Sequence, residues 1–168
     1  GKERSPGKLD SRIFLSINGS IKGFFAINNI YRKGLDEITT GLKNKYKLVV
    51  LSGDNEGEKE NIEKYFNYKS TICFNQSPHD KLEFVKELQA NGHKVMMIGD
   101  GLNDAGALAQ SNVGISISEN VNVFSPACDG ILAATQFDKI AFFMKYSKNA
   151  MKTIYMSFTI SLLYNLVG

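Results

Sequence analysis

Tryptophan is missing from this chain, and proline (3), cysteine (2) and histidine (2) are scarce. His79 and His93 lack the spacing of metal ligands. Cys73 and Cys128 form no C-x-x-C and lie far apart, so they read as separate thiols of a reducing compartment unless the fold brings them together. A dominant charge is also missing. Lysine and arginine number 20 against 17 acids, a net charge of +3. That balance, with no arginine-rich stripe carrying interleaved aromatics, argues against a nucleic-acid partner. No signal peptide opens the sequence; Gly1 to Lys8 reads as a polar, loose terminus. Nor is there an apolar run of the about 20 residues that a membrane-spanning helix needs.

What is present is ordinary globular material. Hydrophobic residues make up 43% and charged residues 22%, enough to build a core within 168 residues. That length fits one domain, or a domain with an appendage. Arg12 to Ile17 and Ile21 to Ile27 are strand-like and flank Asn18-Gly19-Ser20, a strong hairpin signal. Helical spacing marks Leu35 to Lys45, Glu56 to Phe66, Pro78 to Ala90, Asn103 to Gln110 and Gln136 to Lys148. Short apolar runs mark strands at Lys47 to Leu51, Thr71 to Phe74, Lys94 to Ile98, Val113 to Ile117 and Asp129 to Ala133. Strands alternating with helices predict βα units and a largely parallel sheet. No internal repeat is visible.

One stretch stands out. The apolar run Val95 to Ile98 ends in Gly99-Asp100-Gly101, then come Leu102, Asn103 and Asp104 and an alanine-rich helix. Two acids and an amide delivered at a strand end, beside glycines that let a ligand approach the backbone, suit a magnesium-phosphate site. A turn rich in Gly, Asn and Asp is the plainer reading of the same residues. Two further features fall at strand ends or helix starts. Ser52-Gly53-Asp54 offers a hydroxyl and backbone N–H groups, though alone it could be a helix cap and turn. Lys81 offers a cation, though alone it could be a solvated helix residue. In open α/β sheets ligands bind at the carboxyl edge. Together the set matches what a phosphoryl group carried with Mg²⁺ requires.

The order S-G-D-N, P-H-D-K, then M-I-G-D-G-L-N-D-A-x-A-L-A resembles the phosphorylation domain of P-type cation-transporting ATPases, within the haloacid dehalogenase superfamily. The segments V-G-I-S-I-S-E-N-V and C-D-G-I-L resemble the stretches downstream of that signature in heavy-metal pumps. The resemblance implies a Rossmann-type α/β fold, a parallel sheet with helices on both faces. It implies three parts: 1–30, the tail of a nucleotide-binding domain with a hairpin and hinge; 31–148, the phosphorylation domain; and 149–168, the truncated start of a transmembrane helix. It also implies Mg²⁺ and ATP as cofactors. Asp100 would bind Mg²⁺, with Asp104 at the same ion. Asn103 would bond to the phosphoryl group, Ser52 and the Gly53 backbone would hold its oxygens, and Lys81 would neutralise its charge. Asp54 would affect phosphorylation and domain closure, and Arg32 would help to hold nucleotide. The partners implied are the upstream nucleotide-binding and transmembrane parts of a membrane pump, with this domain on the cytoplasmic side.

The tail from Thr153 to Gly168 has no charged residue and comes after Lys145, Lys148 and Lys152, a basic flank of the kind that precedes a membrane entry on the cytoplasmic side. A buried C-terminal amphipathic helix is the alternative. Tyr164-Asn165 resembles the pair of the copper(I) branch and points to Cu(I) as the transported ion. N-V-F-S-P-A-C-D resembles copper pumps associated with cytochrome oxidase assembly.

The sequence departs from the family in several places. Ser52 replaces a usual threonine and Gly106 a usual proline, and Asn29 to Lys33 reads N-I-Y-R-K where D-P-x-R-P is usual. The nucleophile motif D-K-T-G-T is absent from these 168 residues, as are the adenine-binding His-Pro with its glycine-rich partner and the metal-binding C-P-C. The sheet is therefore expected to lack its central strand and to leave exposed edges. A soluble phosphatase of the same superfamily would need D-x-D-x-T on an early strand; Asp10 and Asp36 do not supply it. A non-catalytic binding module is the other alternative, disfavoured by five intact site residues.

Overall fold

A computed structural model describes residues 11–27, 31–66, 69–120 and 127–167. The N-terminal stretch before Ser11, the first part of the hinge (28–30) and most of N-V-F-S-P-A-C-D (122–126 of 122–129) lie outside the described residues.

The chain opens with an antiparallel ribbon, β1 (Ser11–Ile17) and β2 (Ser20–Ile27). Asn18 and Gly19 both take positive φ, 51° and 76°, the backbone that a two-residue hairpin of this twist demands. The ribbon is apolar on both faces. Ile13 opposes Phe25 and Phe14 opposes Phe24 on the other face, and all four side chains are more than half exposed.

The remainder is a mixed α/β unit in the order α1 (Leu35–Leu42), β3 (Val49–Leu51), α2 (Lys59–Ile62), β4 (Thr71–Cys73), α3 (Pro78–Ala90), β5 (Met96–Gly99), α4 (Ala105–Gln110), β6 (Val113–Ser118), β7 (Gly130–Ala133) and α5 (Ile140–Val167). All the strand pairs within it are parallel, as predicted, but they form two pieces. β3 pairs with β4, and β5-β6-β7 form a separate sheet of three. Among the described residues β3 and β5 each carry a ladder on one edge only.

Helices cover both faces of the three-stranded piece. Alternation along β6 sets the two sides. Ile115 and Ile117 join Ile38, Leu42 and Ile140 in the main core, with Met96, Ile98 and Leu132 packed around them. Gly114, one position out of phase, meets α4 instead, where Leu108 is fully buried. α1 and α5 cross closely: a methyl group added at Gly41 would lie 3.0 Å from the Ala141 Cβ.

Two helical predictions change. The segment from Glu56 to Phe66 is not one helix but a 3₁₀ turn (Glu56–Glu58) and then the single turn of α2. Gly57 weakens it, and only Ile62 is buried, too little apolar surface to hold a longer helix. At the other end the helix expected from Gln136 to Lys148 begins as a 3₁₀ stretch (Ala134–Lys139), and α5 then runs unbroken for 28 residues, from Ile140 past Lys148 to Val167. No proline or glycine interrupts it between Ile140 and Val167. Its first turn is in the core; from Lys145 onward every described side chain is exposed, so the tail is not a buried helix. Among the described residues no helix is long and apolar enough to cross a membrane.

The close packing of β6 on α4 has a measurable consequence. A Cβ at Gly114 would sit 2.5 Å from the Leu108 carbonyl oxygen and 3.0 Å from its carbon, both backbone atoms that cannot swing away. Gly114→Ala is expected to cost about 1–3 kcal/mol of unfolding free energy in urea titrations. An unchanged midpoint would contradict this packing.

Candidate functional site

The loops after β3 and β4 leave the carboxyl edge of one parallel piece and those after β5 and β6 that of the other, and the ion pair of Lys81 with Asp104 brings the two together. Ser52 comes directly after β3. Its backbone N–H donates to the Cys73 carbonyl at 2.8 Å, extending the β3–β4 ladder by one step, and its carbonyl accepts from the Gln76 N–H at 2.8 Å. The Asp54 carbonyl accepts from the Asn75 N–H at 2.8 Å. The Ser52-Gly53-Asp54 turn is thus stitched to the loop entering α3. Within the turn the Ser52 hydroxyl accepts from the Asp54 N–H at 3.1 Å and lies 3.4 Å from the Asp54 carboxylate. Gly53 and Asp54 are exposed.

α3 starts sharply because its sequence caps it. Ser77 accepts from the Asp80 N–H at 3.2 Å, and its own N–H donates to the Asp80 carboxylate at 2.9 Å, a reciprocal capping box with Pro78 in the first turn. This cap fixes where the next residue points. Lys81 Nζ donates to Asp104 Oδ1 at 2.7 Å, and both side chains are only 12% exposed. Asp104 arrives from the loop before α4. Its carboxylate lies over Gly99, in the space that a Cβ at that position would occupy, so only glycine at the end of β5 leaves room for it.

Asp100 is exposed at the tip of β5, and one of its carboxylate oxygens accepts from the Leu102 N–H at 3.1 Å. Gly101 provides the positive φ, 85°, that turns the loop. Asn103 is exposed on the same loop. Among the described residues no three His, Cys, Asp or Glu side chains are gathered as a metal cage. Asp100 and Asp104 on one loop fit Mg²⁺, which is held by one or two carboxylates together with phosphate oxygens and water.

Arg32 reaches the same edge by an ion pair that its local sequence gives no sign of. Its Nη1 meets Glu119 Oε1 at 2.5 Å, across 87 residues, with both groups exposed. Glu119 lies just after β6 within S-I-S-E-N, and sequence reasoning misses it; its only signal is its position after a strand end. Tyr164 and Asn165 are not brought to this cluster. They lie on the exposed end of α5, about 36 Å of helix beyond Ile140 at 1.5 Å per residue, where the Asn165 side-chain amide donates to the Ser161 carbonyl at 2.9 Å.

A strand-end Ser52-Gly53-Asp54 turn, a lysine on a capped helix and a D-G-x-N-D loop have a match. The profile of haloacid dehalogenase-like hydrolases fits residues 5–112. The chain belongs to that family. It is similar to a chloroplastic copper-transporting ATPase of Arabidopsis thaliana, 34% identical over 152 residues, which are 88% of this chain and 17% of that protein. It is also similar to copper-transporting ATPase 2 of Homo sapiens, 29% identical over 96% of this chain and 11% of that protein. The chain therefore spans less than a fifth of the length of these relatives. Among solved structures the catalytic CPx-ATPase domain CopB-B superposes with a TM-score of 0.62 at 30% identity, covering 81% of this chain and 53% of that one. A zinc-transporting PIB-type ATPase shares the fold, with a TM-score of 0.70 at 20% identity over 89% of this chain and 24% of that one.

The capping box predicts a pH dependence. The Ser77 hydroxyl, then the Ser77 N–H, hold the Asp80 carboxyl below its ordinary value. A carboxylate whose folded pKa is depressed stabilises the fold above its unfolded pKa, and that contribution fades as pH falls through the folded value. Urea midpoints of the wild type and Asp80→Asn are expected to differ at pH 7 and to converge as the pH falls through the lowered pKa of Asp80. A gap that persists undiminished into acid would show that ionisation of Asp80 is not what the cap uses.

Proposed function

We propose that this chain supplies the Mg²⁺- and phosphoryl-binding part of the phosphorylation domain of an ATP-driven copper(I) pump. The observation that carries the reading is the bonded relay from the Ser52 turn, through the capped start of α3, to Lys81 and Asp104 at the end of β5. That relay links a hydroxyl, backbone N–H groups, a cation and two carboxylates, between strands that among the described residues each keep an unpaired side. An aspartate-bearing strand entering beside β3 and β5 would present its carboxylate there. Copper is supported by the names of the similar pumps and by Tyr164-Asn165 on the emerging helix.

Each residue then has a task. Ser52 Oγ and the Gly53 N–H hold non-bridging oxygens of the transferring phosphoryl group, and the Asn103 amide donates to another. Asp100 is the carboxylate that holds Mg²⁺, and Asp104 orients that site. When bound, the ion neutralises charge on the phosphoryl oxygens during transfer. Lys81 does the same from the protein side, held in place by Asp104 until phosphate competes for it. Asp54 takes part in phosphorylation and in closing of the nucleotide domain, and Arg32, steadied by Glu119, contributes to holding ATP. Aspartyl-phosphate chemistry splits ATP hydrolysis into transfer to a carboxylate and attack by water, so the site needs that aspartate to turn over. The pump lies in a membrane, with this domain on the cytoplasmic side beside its nucleotide-binding and transmembrane parts.

Acid-quenched labelling with γ-labelled ATP tests the reading. The 168-residue chain alone is expected to take up no label. The full-length pump is expected to form an acylphosphate that Cu(I), and not Zn²⁺, stimulates. Asp100→Asn in that pump is expected to reduce phosphoenzyme formation at least about a hundredfold. A phosphoenzyme on the isolated chain, or normal labelling in Asp100→Asn, would overturn it.

A further inference from the structure

The opposite end of the domain carries a second feature. The loop between α1 and β3 reads Lys43-Asn44-Lys45-Tyr46-Lys47 and enters the amino edge of the strands, away from the phosphate side. It is folded back on α1: the N–H groups of Lys45 and Tyr46 donate to the Leu42 carbonyl at 2.9 and 3.0 Å. Tyr46 then meets α5. Lys148 Nζ donates to the Tyr46 hydroxyl at 2.6 Å and lies 4.9 Å from its ring centre, a cation–π contact. Lys145, Lys148 and Lys152 fall three and four residues apart, on one side of α5.

Six lysines thereby lie on the two segments that meet through Tyr46 and Lys148, and all six are exposed. No acid accompanies them in sequence: residues 38–53 contain neither Asp nor Glu, and neither does α5. Among the described residues none of the six pairs with a carboxylate. Beyond Lys152 the helix is uncharged, with Tyr155, Phe158, Leu162 and Leu166 all more than half exposed. A cationic collar at the base of an exposed apolar helix, on the side facing away from the phosphate site, fits one kind of surface.

We infer that the Lys43–Lys47 loop and the Lys145–Lys152 face of α5, joined through Tyr46 and Lys148, form a docking collar for the anionic phospholipid headgroups of the bilayer that α5 enters. The inference rests on the reading of α5 as the start of a membrane helix. Lysines near a negatively charged leaflet each add attraction that decays within a Debye length. The loop adds three such charges that the helix alone does not have, and the Tyr46 contact holds them level with the flank of α5. The domain would thereby be held upright, its phosphate edge turned away from the lipid.

Vesicle flotation of the whole chain tests this. Phosphatidylcholine vesicles are compared with vesicles that also contain phosphatidylglycerol. The wild type is expected to favour the anionic vesicles, and salt is expected to erase the preference. Lys43→Gln, Lys45→Gln and Lys47→Gln together are expected to weaken binding to anionic vesicles roughly tenfold or more, leaving binding to phosphatidylcholine unchanged. Lys22→Gln, Lys59→Gln and Lys86→Gln together, with the same loss of charge elsewhere, are expected to keep the preference. Equal binding of the wild type to both vesicles overturns the collar and leaves the membrane reading of α5 standing. Binding to neither overturns both. A loop variant that behaves as wild type, or a control variant that loses as much as the loop variant, overturns the collar alone.

Discussion

The ion pair between Lys81 and Asp104 is the contact on which the rest of the unit depends. Among the described residues the two pieces of parallel sheet share no ladder, and no backbone hydrogen bond joins them. Packing joins them: α3 lies against α4, with this pair near the start of both helices, and Leu48 ahead of β3 shares the main core with Met96 and Ile98. Both side chains are largely withdrawn from water, where an unmatched charge is expensive and a matched one is directional. Three local features converge to make the pair: the Ser77 cap that sets the start of α3, the glycine at position 99 that yields its Cβ space to the Asp104 carboxylate, and the turn at Gly101 that brings Asp104 back over β5.

The same arrangement explains why structure and chemistry are hard to separate here. Strands with one open edge are an association hazard unless something covers or pairs them. Among the described residues the open edges of β3 and β5 end beside the residues read as the phosphate site. On the reading proposed above, a strand entering there would extend both ladders and complete the site in a single event. The ribbon β1-β2, apolar on both faces, has the pattern of strands meant for the interior of a larger sheet. Both features match a chain that covers under a fifth of its relatives' length.

Local signals are legible wherever local chemistry decides the outcome. Asn18-Gly19 sets its hairpin, and Ser77-Pro78 with Asn91-Gly92 bounds α3 at both ends. The D-G-x-N-D loop falls at a strand end because the apolar run before it must be buried. Long-range choices are not legible. Periodicity identifies strands but not their neighbours, so the division of the sheet comes from a resemblance and not from the pattern of residues. The helix expected from Glu56 to Phe66 shows the limit of spacing: the pattern is present, but only Ile62 finds a buried place. The partner of Arg32 lies 87 residues away and no local rule leads to Glu119. Of the residues read as a magnesium and phosphate cluster, the sequence suggests their common edge; the pairing of Lys81 with Asp104 needs the fold.

A double-mutant cycle on Lys81 and Asp104 tests the central claim most directly, using Lys81→Met, Asp104→Asn and the pair together in urea unfolding at neutral pH. Each single change is predicted to cost about 3–5 kcal/mol, because it leaves its partner buried and uncompensated. The double variant is predicted to fall short of the sum by about 1–3 kcal/mol. Costs that add to within about 0.5 kcal/mol would mean that the two residues act independently, and that something other than this ion pair holds the two pieces of the sheet together.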